Sequence, residues 1–274
     1  MRNINEIISN LEKINTEVDD LNITFNEIKK FYLEIFNTPN SEIKQNIVKA
    51  GTSFFRARPI PKDLLFLSPK ELSAPPKHLT NYGRLNLIRS PVYYCAESLT
   101  TSILEMKPEI EDCLTVTECI SLKDILFAVL SNNSRYYDPN TVCENLQILY
   151  DHITPLINQK VAITELKKYI YTATLSNVIL SDKTIKGILY PSFYSNGNSD
   201  NFAIATDEVE NTLQFIRVGH FAVTEKTNEF ELKIKCIAKA DKINPNGHFL
   251  WESVSDCKQH EIHFEKQIRT LADF

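Results

Sequence analysis

The sequence predicts an α+β fold, in which runs of strands and a cluster of helices occupy separate parts of the chain. Residues 230–240 alternate apolar side chains with glutamate and lysine, which is typical of an antiparallel strand with one buried face. Two helical patterns, about 140–159 and 163–177, follow one another directly, and strand-like segments then resume at 185. This grouping favours α+β over a doubly wound sheet, in which strands and helices alternate.

An N-terminal helix is predicted over residues 3–37. Five of its apolar side chains recur at helical spacing, namely Ile28, Phe31, Tyr32, Ile35 and Phe36. Such a stripe most often packs on the body of the protein, and contact with a partner helix or with the second copy of a homodimer is the less favoured use. After a break at residues 37–40, a second short helix is predicted over 41–50.

The remaining elements follow from β-branched and aromatic runs bounded by turn residues. The predicted strands are 53–59, 92–95, 114–120, 185–190, 201–205, 212–223 and 230–240. Ser98 or Thr100 is expected to cap a short helix that ends before Pro108. Pro155 is expected to kink or bound the first of the two later helices.

The composition excludes several classes of protein. A net charge of -5 and a pI near 5.8 oppose a broad nucleic-acid surface, because phosphate binding needs clustered lysine and arginine. The longest wholly apolar run, 125–130, is far shorter than a bilayer span, and the first residues lack the apolar stretch of a secretory signal. The expected location is therefore the cytoplasm, without membrane contact.

Cysteine and histidine do not predict a metal centre. The 6 cysteines include no CxxC pair, and in a chain of this length they are expected to be reduced thiols. Cys257, His260 and His263 are three candidate ligands, but on a helix the third would turn away from the first. Solvated histidines near the C-terminus are the favoured interpretation, so no metal is expected.

Residues 82 to 105 bring three chemically different groups into one short stretch. Arg84 lies in a predicted loop, Tyr94 in a short strand and Glu105 near the end of a helix. A guanidinium can hold a phosphate through two hydrogen bonds, a ring can stack on a base, and a carboxylate can stabilise a positive sugar carbon. Together these roles suit cleavage of a dinucleotide at its glycosidic bond.

Each of these residues taken alone has a simpler explanation. A loop arginine such as Arg84 is usually solvated, and a tyrosine such as Tyr94 usually packs in a core. A helical glutamate such as Glu105 usually lies on the surface. The wider pattern is what favours a functional site.

Segments on either side of this stretch complete a longer order of elements. Upstream stands the basic strand 53–59. Downstream, the strand 185–190 is closed by Pro191 and Ser192 and is followed by Asn201. The order of strand, loop, strand, helix and distant strand with Pro-Ser resembles the RES domain family.

The resemblance covers roughly residues 52–205. The family takes its name from an arginine, a glutamate and a serine, and Arg84, Glu105 and Ser192 stand at the matching places. The tyrosine that the family also uses falls on Tyr94.

The resemblance implies an ADP-ribosyltransferase-like fold, with antiparallel sheets flanked by helices, and chemistry on NAD as the substrate. Glu105 would then stabilise the ribosyl cation, and Arg84 would hold the pyrophosphate. Tyr94 would stack on the nicotinamide or hold its ribose. Ser192 would hydrogen-bond the ribose or Glu105 itself.

Arg56 and Asn201 are weaker candidates, either as phosphate contacts or as residues behind the site, and a purely structural role explains each of them equally well. The resemblance also divides the chain. The predicted divisions are a helical extension at 1–50 and a catalytic domain at 51–274, with a motif core at 52–205 and a β-rich C-terminal part at 206–274.

Three functions are compatible with these residues. An NAD glycohydrolase is favoured over a transferase, because no acceptor-recognition motif is evident. It would be a toxin restrained by an antitoxin protein. Transfer of ADP-ribose to a protein is the alternative, although Ile103 stands where arginine-directed transferases carry a second glutamate, two positions before Glu105. The third is a nucleotide-binding or assembly module without turnover.

Overall fold

The computed structural model describes residues 3–14, 21–39, 42–159, 161, 165, 168–195, 199–255, 258–272 and 274. The helices are α1 (Ile4–Leu11), α2 (Leu21–Phe36), α3 (Leu99–Glu105), α4 (Glu144–Asn158), α5 (Ile170–Ile179) and α6 (Thr206–Thr212). The strands are β1 (Gln45–Val48), β2 (Ser53–Ile60), β3 (Val92–Ala96), β4 (Cys113–Ser121), β5 (Ile125–Val129), β6 (Gly187–Pro191), β7 (Asp200–Ala205), β8 (Leu213–Asn228), β9 (Glu231–Ala240), β10 (Glu252–Ser253) and β11 (Gln259–His263).

The strands of the described residues belong to one mixed sheet. Its order is β1-β5-β6-β7-β3-β2-β4-β8-β9-β10, and β11 pairs with β9 outside this path. Strands β5 and β6 run parallel, whereas the other named pairs are antiparallel. The predicted α+β class is confirmed.

The middle of this sheet is open. β2 pairs with β4 from Ser53 to Ile60, and β3 pairs with β7 from Val92 to Ala96. In contrast, the pairing of β2 with β3 is confined to Phe55 opposite Ala96. β2 and β3 therefore diverge beyond this one pair, which leaves a gap in the sheet between them.

The N-terminal helices pack on the body of the protein. Ile28, Tyr32 and Ile35 of α2 are fully buried in an apolar cluster that also contains residues of α4 and α5. The predicted use of the α2 stripe as a packing face is thus confirmed. A second cluster packs α3 against β2, β4, β8 and β9.

Two predictions at the N-terminus are wrong. Residues 12–14 form a turn and a bend after α1, so residues 3–37 are not one helix; positions 15–20 lie outside the described residues. Instead of a helix over 41–50, β1 pairs with β5 from Gln45 opposite Ala128 to Val48 opposite Ile125. Pairing with a distant apolar strand outweighs a weak local helical tendency. The boundary at residue 50 stays a prediction, although β1 joins the sheet across it.

Other departures are smaller. Of the two alternatives predicted for Pro155, a kink or a helix boundary, the boundary is wrong, because Pro155 lies inside α4. The later helix begins at Ile170, and most of the predicted stretch before it lies outside the described residues. Sequence patterns missed β5, α6, β10 and β11. β5 was apparent only as an apolar run.

His260 and His263 lie on β11, not on a helix, while Cys257 falls outside the described residues. Within the described ranges, no three or more His, Cys, Asp and Glu residues are grouped as a metal site would require. None of the described helices combines the length and the apolar character that crossing a membrane requires.

Candidate active site

Arg84 follows a glycine in a tight turn where a larger residue would displace neighbouring side chains. Gly83 N donates to Asn86 O over 3.0 Å, and Asn86 N donates back to Gly83 O over 3.3 Å. A Cβ at Gly83 would lie 2.2 Å from Asn86 Oδ1 and 3.0 Å from the Tyr94 hydroxyl. The absence of a side chain at this position therefore allows the turn to close on Tyr94.

Tyr94 fastens this turn through its hydroxyl group. The hydroxyl accepts from Leu85 N over 2.8 Å and donates to Asn86 Oδ1 over 3.0 Å. Its ring lines the cleft described below. Tyr94 thus holds the Arg84 turn in place, which agrees with the simpler structural explanation of this residue, while its contact with substrate stays a prediction.

The Arg84 guanidinium is enclosed by aromatic rings and one carboxylate. It lies 5.8 Å from the centroid of the Tyr190 ring, and its Nε is buried without a hydrogen-bond partner among the described residues. Burial, the largest influence, lowers its pKa, but Glu105, Tyr190 and Tyr169 together outweigh it, so the net shift is upward. Arg84 is therefore a fixed cation with a spare donor.

Glu105 ends α3 and is held through one oxygen. Ser192 Oγ and Asn201 Nδ2 each donate to Glu105 Oε1 over 2.7 Å. Asn201 lies on β7 opposite Tyr190 of β6, and Ser192 follows that strand, so the sheet register brings both donors to one point. No described residue donates to Oε2, which leaves that oxygen for a bound molecule.

Arg56 bridges the gap between β2 and β3. Its Nη1 donates to the carbonyl oxygen of Tyr94 over 2.6 Å, and its guanidinium lies 4.8 Å from the Tyr93 ring centroid. Burial is the main cause of a lowered pKa at Arg56. The Arg56 side chain thus makes a hydrogen bond between β2 and β3 where their backbones do not pair. This contact fits the structural interpretation of Arg56 better than a phosphate contact.

Arg58 lines the same gap and was missed by sequence analysis. Its Nη1 donates to Glu71 O over 2.8 Å and its Nη2 to Ser73 O over 2.6 Å, so it ties the loop after β2 to the cleft. Burial, followed by the charge of Arg56, lowers the pKa of Arg58 to about 10. The signal that could have found it is its spacing, because Arg56 and Arg58 share one face of β2.

These residues enclose a cleft of about 320 Å³. Five of the six predicted site residues line it, and the sixth, Ser192, reaches it through Glu105. Among the lining residues that sequence analysis did not select are Arg58, Ser102, Met106, Tyr169 and Tyr190. The volume falls within the usual range for small-molecule sites.

A family model described as RES domain matches residues 67–224, which is more than half of the 274 residues. The chain belongs to the RES domain family. This family is associated with enzymes that act on NAD and with toxin-like function. The matched residues of the RES domain include Arg84, Tyr94, Glu105, Ser192 and Asn201, whereas Arg56 and Arg58 precede the match. No curated protein matches the chain.

Proposed function

We propose that this RES domain is an NAD glycohydrolase, which cleaves the bond between nicotinamide and ribose and gives the ribosyl carbon to water. The observation that carries this proposal is the Glu105 carboxylate, held through Oε1 by Ser192 and Asn201 in the same cleft as the Arg84 cation.

The chemistry needs one well-placed anion. When the glycosidic bond breaks, its electron pair passes to the positively charged pyridinium nitrogen, and nicotinamide leaves as a neutral molecule without needing an acid. Positive charge then builds on the ribose in an oxocarbenium-like transition state. A carboxylate that is already oriented stabilises this charge without further reorganisation. Glu105 Oε2 takes that role, and water adds to the ribose carbon and loses a proton.

The remaining cleft residues suit the rest of the dinucleotide. Arg84 offers a guanidinium to the pyrophosphate, where two parallel hydrogen bonds favour arginine over lysine. The rings of Tyr94, Tyr169 and Tyr190 line the cleft beside it and offer faces for a planar base.

Transfer of ADP-ribose to a protein is the second candidate. Ile103 occupies the position two residues before Glu105 and is fully buried in the core beneath α3. A second glutamate there would point into apolar packing rather than towards an acceptor. This burial favours hydrolysis over arginine-directed transfer, while other acceptors stay open as outcomes of the test.

The proposed cellular role is that of a toxin held in check by an antitoxin protein, because an enzyme that depletes NAD harms its own cell. A partner that blocks the cleft would suppress this harm. The support for this role is family membership together with a cleft that combines Arg84 and Glu105.

The test uses purified protein and NAD labelled in the adenylate part. Free nicotinamide and free ADP-ribose formed in equal amounts are the expected products, and no nicotinamide release would refute the enzyme proposal. Cell lysate is then added. Label that stays on protein after denaturation, with little free ADP-ribose, would replace hydrolysis by transfer.

A further inference from the structure

A segment near the C-terminus crosses the start of the helix that carries Glu105. We call residues 266–271 the strap. The strap lies beyond residue 224, where the match to the RES domain ends. It nevertheless contacts α3 at several consecutive positions.

The strap backbone caps α3 directly. Leu99 N, at the first position of the helix, donates to Ile268 O over 2.8 Å. Thr100 Oγ1 donates to Lys266 O over 2.8 Å and accepts from Ile268 N over 3.0 Å. The first backbone donors of a helix have no partner within the helix, so the strap supplies one from outside.

The Gln267 side chain adds a second set of contacts. Its Oε1 accepts from Ser98 Oγ and, over 3.0 Å, from Thr101 Oγ1. Its Nε2 donates to Phe264 O. Ser98, the N-cap residue, and Thr101 are both fully buried. Gln267 therefore satisfies buried hydroxyl groups at the start of α3.

The length of α3 makes these contacts consequential. The helix spans only 7 residues, and a helix this short has little stability of its own. Glu105 is its last residue, so any tilt or fraying at Leu99 changes where Glu105 meets Ser192 and Asn201.

We propose that Gln267 is a positioning residue for Glu105, which acts by fixing the N-terminal end of α3. The predicted effect on rate rests on the function proposed above for Glu105. The predicted effect on the helix does not, because it follows from the hydrogen bonds of Ser98 and Thr101 alone.

The test compares Gln267→Ala and Gln267→Glu with Glu265→Ala as the control. Glu265 precedes the strap, its side chain is 71% exposed, and its carboxylate lies 3.9 Å from His263 Nδ1. Two quantities are measured on the full chain: hydrogen exchange of the α3 amides, and kcat and KM for NAD.

In Gln267→Ala we expect exchange of the α3 amides to rise about tenfold and kcat to fall about tenfold, equivalent to about 1.4 kcal/mol, with KM nearly unchanged. KM is expected to hold because Arg84 lies on a separate turn. Gln267→Glu keeps an acceptor for both hydroxyls but turns a second oxygen towards Phe264 O, so it should recover only part of both losses. Glu265→Ala should match the wild type.

Unchanged α3 exchange and unchanged kcat in Gln267→Ala would overturn the proposal. Wild-type exchange and wild-type kcat in Thr101→Val, which removes one donor to the Gln267 oxygen, would overturn the role of the acceptor oxygen. If Gln267→Ala does not fold, Thr101→Val is used in its place. Valine has a similar size to threonine but lacks the hydroxyl that donates to Gln267 Oε1, and the same measurements then test the proposal. An inactive wild type would refute the glycohydrolase function. Hydrogen exchange of the α3 amides would then still test whether Gln267 fixes the start of α3.

Discussion

Replacing Glu105 by glutamine removes a charge while leaving the local hydrogen bonds intact. The amide oxygen of Glu105→Gln can accept from both Ser192 Oγ and Asn201 Nδ2, which now donate to Oε1 over 2.7 Å each. The amide nitrogen then takes the place of Oε2 and turns a positive dipole towards the ribose. Because the side chain keeps its shape and partners, the fold and α3 should be unaffected.

The expected loss in kcat is about two to three orders of magnitude, or about 2.7–4 kcal/mol, as for other single groups aimed at developing charge. KM for NAD should stay nearly level, because loss of the negative charge weakens attraction to the nicotinamide cation and strengthens attraction to the pyrophosphate. Nicotinamide release under saturating NAD measures both constants. The control is Glu109→Gln, which makes the same change in charge at a side chain 73% exposed. A kcat for Glu105→Gln within threefold of wild type would refute the electrostatic role.

Three further predictions concern the turn, the cell and pH. Tyr94→Phe leaves Leu85 N and Asn86 Oδ1 without the hydroxyl, so unfolding in urea should show a loss of about 1–3 kcal/mol, with Tyr82→Phe as the comparison. Expression of the wild type should arrest growth and deplete NAD, and Arg84→Ala should relieve both; normal growth at level NAD with the wild type would remove the toxin role. Burial raises the pKa of Asp200 from 3.8 to about 6. The folded state therefore binds the Asp200 proton more tightly than the unfolded state does. Protonated Asp200 adds about 3 kcal/mol to the free energy of unfolding at low pH, and this contribution is lost as pH rises from about 4 to 6. Asp200→Asn should lose this pH dependence. If urea unfolding at several pH values gives the same change of unfolding free energy with pH in both proteins, the assignment to Asp200 is contradicted.

Much of the candidate site could be predicted because its residues follow local patterns. Glu105 lies near the end of a helix capped by Ser98, and Tyr94 lies on a short strand, as the sequence indicated. The hydrogen bond from Ser192 to Glu105 was one of the two contacts expected for this serine, from family resemblance rather than from spacing. Local patterns thus define which element carries each side chain.

The missed features depend on contacts between distant parts of the chain. Arg58 is recruited by the carbonyl groups of Glu71 and Ser73, whose position depends on the path of a loop. β1 forms because β5 offers an edge, and Gln267 reaches α3 from more than 160 positions away along the chain. Propensity and periodicity carry no information about such partners.

The charge of the cleft differs in sign from that of the whole chain. The chain carries a net charge of -5, yet the cleft is lined by Arg56, Arg58 and Arg84 against Glu105 alone among its acidic lining residues. An acidic exterior repels long polyanions at a distance, whereas the recessed cations attract a single pyrophosphate group once it comes within about 8 Å at physiological ionic strength. We therefore expect capture to be selective for the size of the anion, and added salt should slow capture of a dinucleotide while weakening the repulsion of nucleic acid.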